Sequence, residues 1–381
     1  MNFEETSIQN ELRGLARRFV QKDLLPIVEE DEKMERFRPE LIQKLGELGL
    51  TGIPLPEKYN GAGLGYQEYA IALEELAIGN LGYAISVAVT GLTQIILNLF
   101  GSETQKKKYI PPLAEGLQIG AFSLSEAGSG SDAGNLRASA KKVGNHYILN
   151  GTKLWTTQGD VADTLIVMAR TGSAGPGGIS AFIVEKGTPG FQLGKREKKL
   201  GCHTSHTMEL IFNEAQIPAE NRIGNEGDGF KIAMTALDSG RITIGSCALG
   251  IARAALEIAV NHSKQREQFG KAIGEFQGIS FMLADMAVQL DAARLLVHRA
   301  AWLKDEGRPY SHEAAMAKLF ATDMAMKVTT DAVQILGGSG YTQDFPVERY
   351  MREAKVLQIV EGTNQIQRLI IGRNLTGPFE N

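Results

Sequence analysis

The spacing of apolar residues changes twice along the chain, and this constrains the fold more than any other feature. Up to about residue 118 the spacing is helical: Leu12, Leu15, Ala16 and Phe19 recur on one face, as do Leu41, Leu45 and Leu48. From about Ile119 the period becomes that of strands. His146-Tyr147-Ile148-Leu149 and Thr152 to Thr157 flank Asn150-Gly151, a strong hairpin signal, and Thr164 to Ala169, Ile179 to Glu185 and Thr207 to Phe212 follow. Gly/Pro clusters separate these runs, as at Ala174 to Gly178 and Thr188 to Gly190. From about Gly229 the helical spacing returns in long pieces: Ile242 to Ser263, Gly278 to Lys304 and His312 to Leu336. The pattern predicts a mostly α chain in three domains: helical over 1–118, antiparallel β over 119–228, and a helical bundle over 229–381.

The 381 residues are enough for two or three cores. A net charge of −4 argues against general electrostatic binding to nucleic acid or an anionic membrane. Cys202 and Cys247 are far apart and form no C-x-x-C pair, which fits a reducing compartment. The start of the chain is acidic and amphipathic, with no apolar leader, so a cytoplasmic location is expected; a mature mitochondrial matrix chain stripped of its presequence would read the same. Leu81 to Phe100 is apolar but is broken by Ser86, Thr90, Gly91, Thr93, Gln94 and Asn98, which predicts a buried helix and no membrane insertion.

Five segments carry candidate chemistry. Phe122 to Asp132 (FSLSEAGSGSD) is a Gly/Ser-rich stretch whose backbone N–H groups and hydroxyls suit an anion or a planar ring; its glycine spacing is not that of a dinucleotide fingerprint. Trp155-Thr156-Thr157 sets an indole beside hydroxyls near a strand end. Arg266 to Gly270 places a guanidinium, suited to a pyrophosphate, at the end of a long helix. Gln334 to Gly340 is a Gly-rich helix end. In Val356 to Gln365, Glu361 abuts an apolar run and precedes Gly362; burial there would raise its pKa into the range of a general base. Taken alone, each has a plain structural explanation, and Glu361 reads as a solvated residue near a helix start. His203 and His206 have no clustered partner ligands, so no metal is expected.

In this order and spacing the five segments resemble the acyl-CoA dehydrogenase family, over essentially the whole chain. Phe122 to Asp132, Trp155-Thr156-Thr157, Arg266 to Lys271, Gln334 to Gly338 and Val360 to Gln367 are the matching stretches. The resemblance implies a helical domain, a central β-barrel domain and a four-helix bundle, assembled as a homotetramer with FAD held partly across a subunit interface. It implies α,β-dehydrogenation of an acyl-CoA thioester, with electrons passed on to an electron-transfer flavoprotein. Glu361 matches the base that takes the α-proton while hydride leaves the β-carbon for the flavin, and the backbone N–H of the base helps hold the thioester oxygen.

The resemblance also assigns binding roles. Phe122, Ser123, Leu124, Ser125, Trp155, Thr156 and Thr157 match positions beside the flavin ring, and Ser131 is placed with both FAD and the thioester. Arg266, Phe269 and Gln277 match residues that reach a neighbouring subunit's FAD; Gln334, Gly338, Thr363 and Gln365 match adenine-diphosphate contacts. Asp238, Arg241, Gly362 and Arg373 match positions near the CoA thioester. The sequence departs from the family pattern at Phe122 for Tyr, Ser125 for Thr, Ala127 for Pro and Val360 for an aromatic. By the same resemblance the helix over Leu81 to Asn98 lines the acyl pocket. It carries no charge, so a dicarboxylic substrate would lack a cationic partner. Small residues such as Ala88 and Gly91 suggest width, and short-to-medium acyl chains, branched and alicyclic ones included, are expected. The rival readings are an acyl-CoA oxidase that reduces oxygen and a non-catalytic helical scaffold that kept the fold.

Overall fold

The computed structural model describes residues 4–377. Six helices come first: α1 (Ser7–Phe19), α2 (Val28–Met34), α3 (Pro39–Glu47), α4 (Tyr66–Gly79), α5 (Leu81–Phe100) and α6 (Glu103–Ala114). Local chemistry sets their starts. Thr6 and Ser102 form reciprocal caps with Gln9 and Gln105, and the Asn80 side chain accepts from Tyr83 N to open α5. α5 has apolar residues on every side and is buried on nearly every side, so its 20 residues make a core helix.

Eight strands follow: β1 (Gly120–Ser123), β2 (Ser139–Val143), β3 (His146–Thr157), β4 (Thr164–Arg170), β5 (Ile179–Glu185), β6 (Phe191–Arg196), β7 (Thr207–Pro218) and β8 (Arg222–Ile223). They form one sheet in the order β6-β7-β3-β2-β4-β5-β8, with β1 beside β4. Among the described residues the path has two free ends, so the sheet does not close into a barrel. It is also mixed: β1 and β2 run parallel to β4, and the other pairs are antiparallel. Asn150-Gly151 is not the expected hairpin. β3 runs straight through it, and the tight turn is Gly144-Asn145, where Val143 pairs with His146 and Gly144 takes φ +58°. Gly151 is needed instead because a Cβ there would lie 2.7 Å from Ala138.

The rest is helical apart from a small hairpin. α7 (Gly229–Gln265) leads into β9 (Glu267–Gln268) and β10 (Lys271–Ala272), then α8 (Gln277–Asp305), α9 (Ser311–Leu336), the one-turn α10 (Gly338–Tyr341), α11 (Val347–Leu357) and α12 (Asn364–Thr376). α7, α8 and α9 pack on one another, and the shorter α11 and α12 pack on α9. α7 begins at Gly229, well before the Ile242 that its apolar spacing first marked, and also packs on α4 and α5.

Two buried carboxylates on α4 tie these parts together. Glu74 accepts from Arg253 of α7 at 2.8 Å and Arg294 of α8 at 3.1 Å. Glu75 accepts from Arg253 and from Arg13 of α1, both at 2.6 Å.

Candidate active site

Glu361 lies in the short loop between α11 and α12, at φ +56°, followed by Gly362 at φ +82°. A left-handed glutamate costs about 1–2 kcal/mol. The surroundings hold it there: Gln367 Nε2 donates to the carbonyls of Glu361 (3.1 Å) and Gly362 (2.7 Å), and Lys318 Nζ donates to Gly362 O at 2.9 Å. The residue as a whole is half-buried, but its Oε2 is sealed from solvent and has no hydrogen-bond partner among the described residues. A Cβ placed on Gly240 of α7 would lie 2.5 Å from that Oε2 and 3.2 Å from Leu92 Cδ2 of α5. The carboxyl therefore occupies space that only glycine leaves open. Burial pushes the Glu361 pKa up to about 7, against the pull of Arg241 and Lys318.

Asp238 and Arg241 are one turn apart on α7 and form an ion pair, and Ser311 Oγ donates to Asp238 at 2.8 Å. Arg241 is buried, with its Nε unpartnered among the described residues. Burial raises the Asp238 pKa, offset by Arg241 and Ser311. Gly362 adjoins Glu361, whereas Arg373 is exposed near the end of α12.

Ser123, at the end of β1, shares a 2.8 Å hydrogen bond with Thr156 of β3; both are buried. Leu154 N donates to Ser125 O, continuing the link. Between Lys153 and Thr156 strand β3 carries one residue more than β7, and Trp155 sits in this bulge at φ +58°. The bulge leaves its indole 53% exposed beside the half-buried Phe122 and Thr157 segments. The hydroxyls of Ser125 and Thr157 have no hydrogen-bond partner among the described residues. Leu124 is buried, and Ser131 is exposed in the loop that follows.

Helix α5 runs from this shelf toward the Glu361 niche. Thr90 and Thr93 donate to the carbonyls of Gly120 and Ala121 in β1, and Ser86 accepts from Gln158, just past Thr157. Leu92 on the same helix borders the space beside Gly240 that the Glu361 carboxyl enters.

Other expected residues stand apart within one chain. Arg266, Phe269 and Gln277 are all exposed around the β9–β10 hairpin, with Phe269 95% exposed and at φ +53°. Gln334 and Gly338 are exposed at the end of α9, where a Cβ on Gly337 or Gly338 would meet nothing. Thr363 caps α12 by accepting from Ile366 N, and Gln365 is exposed on the first turn of that helix.

Sequence reasoning missed four supporting residues: Glu126, Lys153, Gly240 and Lys318. Glu126 lies inside the Gly/Ser-rich segment, and its carboxylate accepts from Arg137 N (2.7 Å), Ala138 N (2.9 Å) and Lys153 Nζ (2.8 Å). Burial alone would raise its pKa, but Lys153 and the two backbone donors bring it below the usual value. Lys153, an otherwise unremarkable lysine in a strand pattern, has its pKa lowered by burial to about 8. His206 pairs with Asp160 and His203 lies beside Glu32, so both histidines are held by carboxylates.

The models of the acyl-CoA dehydrogenase N-terminal, middle and C-terminal domains match residues 6–117, 121–215 and 227–376. An acyl-CoA dehydrogenase of Bacillus subtilis (strain 168) is 52% identical, covering 98% of this chain and 99% of its own length. The butyryl-CoA dehydrogenase structure from Megasphaera elsdenii superposes with a TM-score of 0.97 at 49% identity, covering 98% of this chain and all (100%) of that one. A chain in the structure of the electron transferring flavoprotein of Acidaminococcus fermentans gives a TM-score of 0.98 at 51% identity, covering 99% of this chain and 100% of its own. With all three domain models matched and half the residues shared with full-length relatives, this chain belongs to the acyl-CoA dehydrogenase family, a group of FAD-dependent oxidoreductases.

Proposed function

We propose that Glu361 is the base that removes the α-proton of a short-chain acyl-CoA thioester in this dehydrogenase. The observation that carries this reading is the sealed, unpartnered Oε2 of Glu361 against Gly240 and Leu92. A carboxylate without competing donors and with a pKa near 7 is suited to accept a proton from a weak carbon acid at neutral pH. With the carbonyls of Glu361 and Gly362 engaged by Gln367 and Lys318, the Glu361 N–H has a fixed direction in which to meet the thioester oxygen.

The shelf fits FAD. Trp155 and Phe122 offer faces for a flavin ring, Ser125 and Thr157 keep free hydroxyls for its edge, and the open Gly337-Gly338 backbone can approach a pyrophosphate. Bound there, FAD supplies the acceptor for the β-hydride. The Phe269-bearing hairpin, too exposed to serve its own chain, supports a tetramer in which Arg266, Phe269 and Gln277 reach a neighbour's cofactor. We keep the domain limits near 118 and 228, because α6 ends just before the first and α7 begins just after the second.

For the substrate, α5 carries no charged residue and sets Leu92 beside the Gly240 niche that the Glu361 carboxyl enters, which favours an apolar acyl group. The butyryl-CoA dehydrogenase likeness points the same way, and the likeness to a chain of the electron transferring flavoprotein structure supports such a flavoprotein as electron acceptor. The test is Glu361→Gln. This variant should retain FAD and bind acyl-CoA, yet show almost no anaerobic flavin bleaching; full bleaching would overturn the assignment. A panel of butyryl-, isobutyryl-, cyclohexanoyl-, octanoyl- and glutaryl-CoA defines the pocket, and slow reoxidation by air against fast reoxidation by electron-transfer flavoprotein separates a dehydrogenase from an oxidase.

A further inference from the structure

Lys318 is a fully buried lysine on α9, with 0% of its surface exposed. Its Nζ donates to Gly362 O at 2.9 Å and to Asn364 Oδ1 at 2.8 Å. Asn364 in turn donates to Thr322 Oγ1 (2.9 Å) and Asp323 Oδ1 (2.6 Å), and Gln358, on the other side of the loop, donates to the same Asp323 oxygen at 2.7 Å. Both ends of the loop that carries Glu361 are thus fastened to one stretch of α9. A buried ammonium is costly, and an apolar side chain of similar length would serve packing alone at least as well. Two successive positive-φ residues persist only where their surroundings determine them.

We infer that Lys318 is a positioning residue for the dehydrogenation: by gripping the Gly362 carbonyl it sets the direction of the Glu361 carboxyl and N–H, and its charge favours the ionised base. The inference rests on Glu361 being the base. The charged groups around it agree with this role. Glu361 and Asp323 hold the cation, Arg241 on α7 opposes it, and Arg368 on α12 engages the far oxygen of Asp323. Burial lowers the Lys318 pKa to about 7, against the pull of Glu361 and Asp323, so this cation and its base sense one another's protonation.

The test compares flavin-loaded wild type, Lys318→Met, Lys318→Arg and Glu361→Gln. Limiting rates of anaerobic flavin reduction by butyryl-CoA are measured across pH, with hydrogen exchange followed over residues 358–367. Lys318→Met should lower the limiting rate about 10- to 100-fold, the scale expected when a reacting group is misplaced by about 1 Å. Its KM should change less, its pH profile should move to higher pH, and exchange in the loop should quicken. Lys318→Arg should restore the position of the pH profile, because it restores the charge. Wild-type rate, pH profile and exchange in Lys318→Met would overturn the inference. If Lys318→Met does not fold, Asn364→Ala removes the cation's second acceptor while keeping the cation; slower reduction and faster loop exchange are expected, and wild-type values overturn the inference. Glu361→Gln separates the two readings. If it bleaches normally the base assignment fails, whereas if it is dead and Lys318→Met is normal only the positioning role fails.

Discussion

Gly240 and Glu361 are fitted to each other: a single carbon added to residue 240 would sit 2.5 Å from Glu361 Oε2 and 2.9 Å from its Cδ. Gly240 is inside helix α7, where alanine is favoured over glycine by about 1 kcal/mol. Gly240→Ala should therefore fold and take up FAD, since a flexible carboxyl can swing aside. It should reduce its flavin at least about 10-fold more slowly, because the swung carboxyl is no longer positioned. Stopped-flow flavin bleaching with matched FAD content is the check, and an unchanged rate would show that the carboxyl does not need this niche.

The acidity of Glu361 makes a prediction about pH. As the proposed base, Glu361 must be ionised, so kcat/KM for butyryl-CoA should rise with pH and level off above about 7. Stability should run the other way. Folding raises this carboxyl above its ordinary value of 4.5, so the folded chain keeps a proton that the unfolded chain releases. That contribution is present below about pH 4.5 and is lost as pH rises through 7. Glu361→Gln should gain in urea midpoint relative to wild type between pH 5 and pH 8.

Lys153 and Glu126 form a buried ion pair, and breaking one side leaves a buried charge. Lys153→Met should cost about 3–5 kcal/mol in urea unfolding. It should also lower FAD occupancy, because Glu126 holds the loop that returns through Arg137 and Ala138. Adding Glu126→Gln should recover part of the stability, and the shortfall from additivity measures the coupling.

Trp155 contrasts stability with binding. Its positive φ suits glycine, and half of its surface is exposed, so Trp155→Gly should leave stability unchanged or raise it. FAD affinity should fall, because the indole face is gone. Titrating apoprotein with FAD and comparing thermal midpoints of the apo forms separates the two effects.

Much of this was legible in the sequence because it depends on local spacing. The long helices α8 and α9 begin and end within a residue of where their apolar periodicity changes. Four strands of the main sheet did not announce themselves: β2 hides only Ala140 and β6 has no fully buried residue, whereas β1 and β8 are buried but too short, at 4 and 2 residues, to show a period. Asn150-Gly151 misled for a related reason. A turn dipeptide can equally serve a close strand crossing, and only the position of Ala138, remote in sequence, decides between them. Glu361 matches the position of the family's base, which makes it the leading candidate. Its niche was not legible, because Gly240, Leu92 and Lys318 come from three helices far apart in the chain, and no local pattern marks a glycine or a lysine as another residue's neighbour.

The way α5 is fastened has an evolutionary consequence. Its threonines hold it to β1, while the loop that carries Glu361 hangs from α9 through a separate set of bonds. Side chains of α5 other than Leu92 and these threonines can change without loosening either attachment. Selection can thus vary one helix while the loop that carries Glu361 is inherited intact.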